Sequence, residues 1–420
     1  MKNVKGTRDF LPEEMILRQQ VLEKIKYVFE IFGFQPLETP ALEAWEVLSA
    51  KGAGGPEILK ETYNFEDFGG RRVGLRFDLT VPLARVIASN PNLNLPFKRY
   101  QIQNVWRYGD ITKDRFREFL QADIDIVGSE TMLADAEIIA CVISVLTELG
   151  FKDFTVRLNN RKILSALAKY AGVPENKVID TFRIIDKLTK IGEEGIKKEL
   201  LTKISKAATT KILEIIVNKK ESVLEELEKL VEDKEGFEEL KQIISYLKQM
   251  KVEPKFEIDL SLARGLDYYT GPIFEVFAEE GIGSIAGGGR YDKMIGLFSG
   301  KNIPATGISF GIERMIEVMK ERKIFEVKKS NVKVFVIAVN DKVRDKVLKI
   351  VQILRNNSIS VDFDLRLRSL SKQLDYANSL GIPNVIIVGE KELKNNSVKL
   401  KKMDTGKEIS LKIDDMVKSF

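Results

Sequence analysis

Hydrophobic positions recur at helical spacing near the start of the chain. Over residues 11–34, Leu17, Val21, Ile25 and Phe29 fall on one face of a helix. The following stretch, residues 34–52, predicts a short strand, a corner at a proline and a further helix. A strand over residues 73–77 then leads into a helix that starts near residue 80.

Two longer segments alternate between apolar and polar residues. Residues 96–109 and 117–130 each predict a strand, and the basic loop "DITKDRF" joins them. A predicted helix over residues 131–150 and a strand over 151–160 follow. Antiparallel strand pairs backed by helices, without a βαβ repeat, indicate an α+β fold.

The pattern changes twice more along the chain. Residues 160–255 have helical periodicity and no strand signal, which predicts a helical insertion. Strand-like stretches return between residues 256 and 298, before a helix over residues 310–323. After a charged linker, three strands alternate with two helices, and this predicts a separate α/β domain with parallel strands at its start. The predicted division is residues 1–159, 160–255, 256–325 and 331–420.

Composition excludes several classes of protein. The 420 residues include 44% hydrophobic and 31% charged residues, as in a globular protein of two to four domains. No run of about 18 apolar residues predicts a membrane span, and no apolar segment near the start resembles a secretory signal. The chain has no histidine and one cysteine, Cys141 in an apolar helix, so a Cys/His nucleophile and histidine metal ligands are excluded. A buried thiol and a reducing cytoplasm are expected.

Positive charge is concentrated at one end of the chain. Residues 331–420 contain 17 Lys and Arg against 11 Asp and Glu, a net charge of +6. Because the whole chain carries +5, residues 1–330 are left with −1. This distribution fits a module that binds a polyanion, and it also fits a lysine-rich solvated surface.

The predicted hairpin carries the first candidate chemistry. Period-2 spacing places Phe119, Gln121, Asp123 and Asp125 on one face of the second strand. So many polar groups cannot face a core, so this face is either solvated or the floor of a pocket. Arg107, Lys113, Arg115 and Arg117 lie at the other end of the hairpin. Arginine matches phosphate oxygens, and a neighbouring aromatic ring can stack on a base.

Three further stretches concentrate polar or glycine residues. "ARGLDYYTG" (263–271) contains Arg264, Asp267, Tyr268 and Tyr269, which indicates either a pocket or tyrosines that cover the core at a strand end. "AGGGRYD" (286–292) has the wrong glycine order for a nucleotide-binding loop, and a packed bulge would leave its Arg290 unexplained. "GISFGIERM" (307–315) predicts glycines before a helix whose first turn holds Glu313 and Arg314.

Together these four stretches resemble the class II aminoacyl-tRNA synthetases, and "RGLDYYTG" with "AGGGRYD" resembles the histidyl-tRNA synthetases in particular. The beginning "KGTRDFLPEE" is similar to the same family. Motif 1 would be "ETPALEAWEVL", motif 2 the hairpin with Arg107, and motif 3 "GISFGIERM". The segment from "PNVIIVG" onward resembles an anticodon-binding domain. The resemblance implies a catalytic domain interrupted by the helical insertion, a C-terminal α/β anticodon-binding domain and a homodimer.

The resemblance also implies roles for individual residues. Residues expected to bind L-histidine are Asp78, Leu79, Thr80, Gln121, Asp125, Tyr268 and Tyr269. Among them, Asp125 and Tyr268 would read the two ring nitrogens, and carboxylate and amide oxygens would hold the α-ammonium. Residues expected to bind ATP are Arg107, Phe119, Arg264 and Arg314, with Arg107 and Arg264 as the catalytic cations. Mg²⁺ would accompany the phosphates, and tRNA(His) would be the second substrate.

One position departs from the family pattern. The family carries a glutamate two places after the motif 2 arginine, whereas this chain reads "RYGD". Asp110 is the candidate substitute. A catalytically inactive paralogue, such as the regulatory subunit of ATP phosphoribosyltransferase, is the alternative. Such chains lack the anticodon domain and parts of the histidine motif, which are both present here. An RNA-binding or stress-sensing protein without synthetase activity would not explain the set Asp78, Arg107, Gln121, Arg264 and Arg314.

Overall fold

The computed structural model describes residues 1–50, 55–112, 115–218, 222–252, 256–263, 268–278, 283–325 and 327–420. Arg264, Asp267 and Lys113, which the sequence analysis selected, lie outside the described residues. The chain divides into two compact units, each described by itself. Unit 1 comprises residues 1–8 and 23–324, and unit 2 comprises residues 9–22 and 325–420. The four-part division made from the sequence stays a prediction.

The described residues form strands in both units. The strands of unit 1 are β1 (Gln35–Pro36), β2 (Leu42–Ala44), β3 (Asn64–Glu66), β4 (Arg72–Leu75), β5 (Phe97–Trp106), β6 (Glu118–Val127), β7 (Thr155–Asn160), β8 (Phe256–Ile258), β9 (Pro272–Phe277), β10 (Ala286–Arg290) and β11 (Ala305–Gly311). Those of unit 2 are β12 (Val334–Ala338), β13 (Val361–Phe363), β14 (Asn384–Val388), β15 (Ser397–Lys402) and β16 (Glu408–Lys412).

Helices pack around these strands. They are α1 (Pro12–Ile31), α2 (Trp45–Leu48), α3 (Gly55–Lys60), α4 (Thr80–Ser89), α5 (Met132–Glu148), α6 (Arg161–Ala171), α7 (Val178–Ile185), α8 (Leu188–Leu201), α9 (Lys206–Ile216), α10 (Val223–Leu230), α11 (Glu235–Gln249), α12 (Gly296–Ser299), α13 (Ile312–Glu321), α14 (Arg344–Asn356), α15 (Leu370–Ser379) and α16 (Glu390–Lys394). Short 3-10 turns occupy Glu175–Lys177, Asp341–Val343 and Ile413–Ser419.

An eight-stranded sheet forms the centre of unit 1, in the order β1-β5-β6-β11-β10-β9-β7-β8. The six inner strands pair antiparallel, and the edge strands β1 and β8 pair parallel to their neighbours. Along β6, Leu120, Ala122 and Ile124 are buried on the face opposite to the polar residues. Helices α5 and α13 contact β6. The polar face of β6 is therefore free to line a cavity.

Unit 2 contains a five-stranded sheet in the order β13-β12-β14-β15-β16. Strand β12 pairs parallel to β13 and β14, and the last strands pair antiparallel. Apolar residues on both faces form two clusters, one that includes Val336 and Leu354 and another that includes Phe335 and Ala377. This arrangement confirms the predicted α/β domain with a parallel start.

The predicted α+β class is confirmed, and local errors have identifiable causes. The glycines at 307 and 311 do precede a helix, α13, with Glu313 and Arg314 in its first turn, but the prediction missed that they belong to strand β11, which β6 and β10 flank on both sides. The predicted helix after Pro40 is mostly replaced by strand β2 and one helical turn. The predicted strand 283–298 ends at Arg290 and gives way to α12.

Candidate active site

A cavity of about 640 Å³ lies over the polar face of β6 in unit 1. Phe119, Gln121, Asp123 and Asp125 all line it, so this face of the strand is a pocket floor and not a solvated surface. Asp125 is six positions after Phe119, which gives the floor a length of roughly 20 Å at the usual rise of a strand. That length can accommodate two small ligands placed end to end.

One end of the floor carries buried carboxyl groups. Asp78 and Asp123 are 3% and 2% exposed, respectively. Asp78 Oδ1 accepts a hydrogen bond from Val81 N (3.1 Å) at the start of α4, which fixes the carboxyl at the cavity wall. Burial raises the pKa of Asp78 to about 6 and that of Asp123 to about 7. These carboxyl groups favour a cation that would replace their lost hydration.

Asp125 is held by two partners. The Arg99 guanidinium lies 2.6 Å from Asp125 Oδ2, and the Tyr291 hydroxyl donates to Asp125 Oδ1. Burial still raises the pKa of Asp125, in opposition to Arg99. Arg99 also donates to Leu79 O (3.1 Å). Leu79 was expected to bind histidine, but its side chain is fully buried and does not line the cavity. Its described contribution is to hold Arg99 through its carbonyl group.

Two tyrosines of the segment "ARGLDYYTG" lie beside these carboxyl groups. Tyr268 and Tyr269 line the cavity, and their ring centroids are 4.8 Å apart at 68°. Tyr268 hydrogen-bonds to the side chain of Thr80, and burial raises the pKa of both tyrosines, so their hydroxyls keep their protons. A neutral imidazole ring has one N–H donor and one acceptor nitrogen. A carboxylate can accept from the first, and a neutral hydroxyl can donate to the second.

Gln121 lies between the two ends of the floor. Its Nε2 donates to Ser309 Oγ (2.7 Å) on the neighbouring strand β11. Ser309 also hydrogen-bonds to Asp123, and this lowers the pKa of that carboxyl against the effect of burial. The amide oxygen of Gln121 is buried without a hydrogen-bond partner among the described residues.

The other end of the cavity carries arginines and aromatic rings. Arg107 Nε donates to Phe77 O (2.8 Å), and its guanidinium lies 5.3 Å from the centre of the Phe119 ring. Arg314, in the first turn of α13, donates to Ser284 O (2.7 Å) and also lines the cavity. Fixed guanidinium groups beside an exposed ring face suit the phosphates and the base of a nucleotide.

The structure thus brings most of the predicted site residues to one cavity. Those that line it are Asp78, Thr80, Arg107, Phe119, Gln121, Asp125, Tyr268, Tyr269 and Arg314. Arg290 lies elsewhere, because its guanidinium is buried against Asp135 and donates to Ser129 O (2.9 Å). A packed glycine bulge would not by itself require an arginine at position 290. The buried ion pair with Asp135 supplies the reason.

Sequence reasoning missed several residues of the site. Asp123 was placed on the correct face by alternation but was given no role. Ser309 was missed because its segment was not recognised as a strand. Arg99 and Tyr291 became visible only when the structure placed them against Asp125. Arg99 lies in a predicted strand, and a fully buried arginine requires a partner, but nothing in the local sequence showed that this arginine would be buried.

The departure from the motif 2 pattern has a structural context. Asp110 lines the cavity, and so does Glu61 from the segment after α3. A Cβ atom at Gly109 would lie 3.5 Å from Glu61 Oε2. The family's motif 2 glutamate would stand at position 109, where this chain has glycine. The cavity wall beside Gly109 therefore contains a carboxyl group from a different part of the chain, that of Glu61.

The described residues contain no group of three or more His, Cys, Asp or Glu side chains arranged to hold a metal ion. Cys141 is fully buried in α5, and burial raises the pKa of its thiol, as expected of an unreactive cysteine. No described helix is long and apolar enough to cross a membrane.

The sheet is mostly antiparallel, and the cavity on it has an acidic end and an arginine-rich end. These features are those expected of a class II aminoacyl-tRNA synthetase. The family model described as histidyl-tRNA synthetase matches residues 6–315, and the model described as anticodon binding domain matches residues 333–420. A protein named histidine–tRNA ligase from Korarchaeum cryptofilum is 41% identical over 434 residues, which is 99% of this chain and 97% of the relative. The chain belongs to the histidyl-tRNA synthetase family.

Solved structures agree with this assignment. The crystal structure of histidyl-tRNA synthetase from Nostoc sp. PCC 7120 has a TM-score of 0.88 and 34% identity, and the match covers 100% of this chain and 98% of that one. A structure from Bacillus halodurans, titled as an ATP phosphoribosyltransferase regulatory subunit/histidyl-tRNA synthetase, has a TM-score of 0.77. It is 22% identical, and the match covers 92% of this chain and 97% of that one, so it supports the fold alone.

Proposed function

We propose that this protein is a histidine–tRNA ligase that activates L-histidine with ATP and then transfers the histidine to tRNA(His). The observation that supports this proposal best is that one cavity contains two different sets of polar groups. Its acidic, tyrosine-lined end has the groups for a small cation with a planar ring, and its arginine-lined end has the groups for a nucleotide. Asp125 and Tyr268 are the proposed partners of the two imidazole nitrogens, with Tyr269 as the wall.

In the first step, a histidine carboxylate oxygen attacks the α-phosphorus of ATP, the bond to the bridging oxygen breaks, and pyrophosphate leaves. No covalent enzyme intermediate is required, because positioning and charge neutralisation carry such a step. Arg107 is the proposed cation at the α-phosphate, and its guanidinium is already fixed by Phe77 O. Arg264, which lies outside the described residues, is proposed as the second cation. Phe119 and Arg314 are proposed to enclose the adenine.

Three further parts of the proposal concern partners and location. Mg²⁺ is proposed to arrive with ATP, because outer phosphates are its usual ligands. A homodimer is supported by exposed apolar residues of the β2-β4-β3 sheet region, where Leu42, Phe65 and Phe68 are exposed. Light scattering after gel filtration tests that state. The unreactive buried thiol agrees with a cytoplasmic location.

The decisive experiment is ATP–pyrophosphate exchange with each of the twenty amino acids in turn, without tRNA. Exchange with histidine alone, abolished by Arg264→Ala and by Arg107→Ala, is the expected result. Absence of exchange with every amino acid, in a folded protein that still binds histidine, would contradict the proposal and favour the inactive regulatory paralogue.

A further inference from the structure

A hydroxyl group lies between two polar side chains of the pocket floor. In the ladder between β6 and β11, Ser309 is opposite Asp123, and the positions two residues away on β11 are Gly307 and Gly311. Glycines carry no side chain, so Ser309 is the side-chain polar group that this face of β11 contributes to the cavity. Its two described partners, Gln121 and Asp123, both belong to β6.

The direction of these hydrogen bonds determines what faces the cavity. Ser309 Oγ accepts from Gln121 Nε2 (2.7 Å), so its single proton remains available for the carboxylate of Asp123. When Asp123 is ionised its carboxylate can only accept, so the hydrogen bonds then run from Gln121 to Ser309 to Asp123. The amide nitrogen of Gln121 is thereby turned toward β11. Its oxygen is left for a ligand.

Five oxygens of cavity-lining side chains are buried without a hydrogen-bond partner among the described residues: Asp78 Oδ2, Gln121 Oε1, Asp123 Oδ1, Asp125 Oδ2 and Glu275 Oε1. Asp125 Oδ2 has its ion pair with Arg99, and Glu275 has another interaction. Asp78 Oδ2, Gln121 Oε1 and Asp123 Oδ1 remain, and each belongs to a side chain that is at least nine-tenths buried. Buried acceptors without partners are costly, so a ligand with several donors is required to satisfy them. An alkylammonium group offers three N–H donors and a positive charge, whereas an imidazole ring offers at most two donors.

We propose, on the basis of the proposed function, that Asp123 is a specificity-determining residue that accepts a hydrogen bond from the α-ammonium group of the amino-acid substrate. Ser309 is a positioning residue that holds the amide oxygen of Gln121 toward the same group. Asp125 is left out of this set, because the Arg99 guanidinium already balances its charge, whereas its remaining lone pairs can still accept from the N–H of a neutral ring. The α-ammonium subsite therefore extends from α4 across β6 and depends on β11 for its orientation.

Two ligands separate the ammonium from the ring. L-histidinol has both the imidazole ring and the ammonium group, and 3-(imidazol-4-yl)propionate has the ring but no ammonium group. Calorimetric titration of the full-length protein gives a dissociation constant for each. In Asp123→Asn, histidinol is expected to bind about tenfold or more weakly, and imidazolepropionate within about twofold of the unaltered protein. In Ser309→Ala, the ratio of the histidinol dissociation constant to the imidazolepropionate dissociation constant is expected to rise by roughly threefold to tenfold.

Control variants make the outcomes distinct. Asp125→Asn is expected to weaken both ligands, because that carboxyl is proposed to contact the ring. Ser309→Thr retains a hydroxyl and is expected to preserve the ratio that Ser309→Ala loses. Equal weakening of both ligands in Asp123→Asn, or no change in either, overturns the inference while leaving the proposed function intact. If Asp123→Asn does not fold, as judged by thermal melting, the Ser309→Ala ratio decides the question alone. Failure of the unaltered protein to bind histidinol would contradict both this inference and the proposed function.

Discussion

Individual side chains in this cavity are defined by what surrounds them more than by their residue type. Asp78, Asp123 and Asp125 are all buried aspartates, yet their partners differ. Asp125 has the Arg99 guanidinium, Asp123 has the Ser309 hydroxyl, and Asp78 has a backbone amide. Of these three carboxyl groups, Asp125 is the one with an arginine ion pair among the described residues, which leaves this end of the cavity electrically suited to a cation.

The raised pKa values predict a pH dependence of ammonium binding. Burial raises the pKa of Asp123 to about 7 and that of Asp78 to about 6, so both carboxyl groups take up protons as the pH falls from 8 to about 6. Protonated carboxyl groups do not attract an ammonium group, so histidinol should bind more weakly at the lower pH. Arg99 and Arg107 favour the ionised forms, and Asp125 opposes them.

The measurement is the dissociation constant of histidinol divided by that of imidazolepropionate, determined at pH 8 and again at pH 6. The ring pKa is lower in histidinol than in imidazolepropionate, because the nearby ammonium group disfavours a second positive charge, so ring protonation is corrected for with the measured pKa of each ligand before the ratio is taken. The ratio is expected to rise by roughly tenfold, since one pKa unit corresponds to a factor of ten. A ratio that stays constant with pH would contradict the assignment of the raised pKa values to the ammonium subsite.

A glycine of β11 provides a second prediction at this scale. A Cβ atom at Gly307 would overlap Asp125 Oδ1 and would lie 2.6 Å from Ile124 O. Gly307→Ala should therefore displace Asp125 and lower the free energy of unfolding by about 1–3 kcal/mol. It should also raise the dissociation constant for histidine at least tenfold. Gly311→Ala, on the same strand, is the matched control, because the nearest atom to its Cβ would be Ile285 O at 3.7 Å. Denaturant titration and calorimetry would measure both. Equal effects of the two substitutions would refute the steric explanation.

Among the secondary elements, the loop after β5 depends on a distant segment. Two contacts join this loop to residues near the start of the chain. Arg117 N, just before β6, donates to Gly6 O (2.9 Å), and the Arg8 guanidinium lies 3.9 Å from the centre of the Phe116 ring. The Arg117 guanidinium in turn covers the Tyr108 ring at 3.7 Å. Residues 4–8 thus pack against the part of the hairpin that extends beyond the sheet and carries cavity residues such as Phe116.

We expect Gly6→Ala to raise the KM for ATP by about threefold to tenfold while leaving the KM for histidine nearly unchanged. Gly6 has φ +88°, and an added Cβ would lie 2.7 Å from Arg117 Cγ, so the substitution pushes on the loop. Gly33→Ala is the control, since Gly33 has φ +77° but no atom within 4 Å of an added Cβ. Exchange kinetics of both variants would separate the contact from the backbone strain that the two share. Parallel changes in both KM values would show that the loop is not the affected part.

At the scale of the whole molecule, charge and chemistry lie in different parts of the chain. The described cavity belongs to unit 1, whereas the net charge of +6 belongs to residues 331–420. A protein that reads a small amino acid in one unit and grips a polyanion with another should show two different responses to salt.

The KM for tRNA in the charging reaction should therefore rise with salt, by roughly tenfold or more between about 50 and 200 mM, because counterions compete for phosphate contacts. Histidine-dependent exchange without tRNA should change by less than about threefold over the same range, since its charges are buried. Parallel steady-state assays would test this. A KM for tRNA that is independent of salt would contradict a role for the basic residues in binding tRNA.

The sequence by itself determined the α+β class, the α/β domain at the end of the chain and the set of polar residues that share one face of β6. These depend on periodicity, on local motifs and on the physical rule that polar groups are not buried without partners. Tertiary structure alone decided the register of β11, which places Ser309 next to Gln121, a residue 188 positions away in the chain. It also decided that Leu79 is buried outside the lining of the cavity and that Arg99 pairs with Asp125. Contacts between strands far apart in sequence follow from the packing of the whole sheet, which no local pattern encodes.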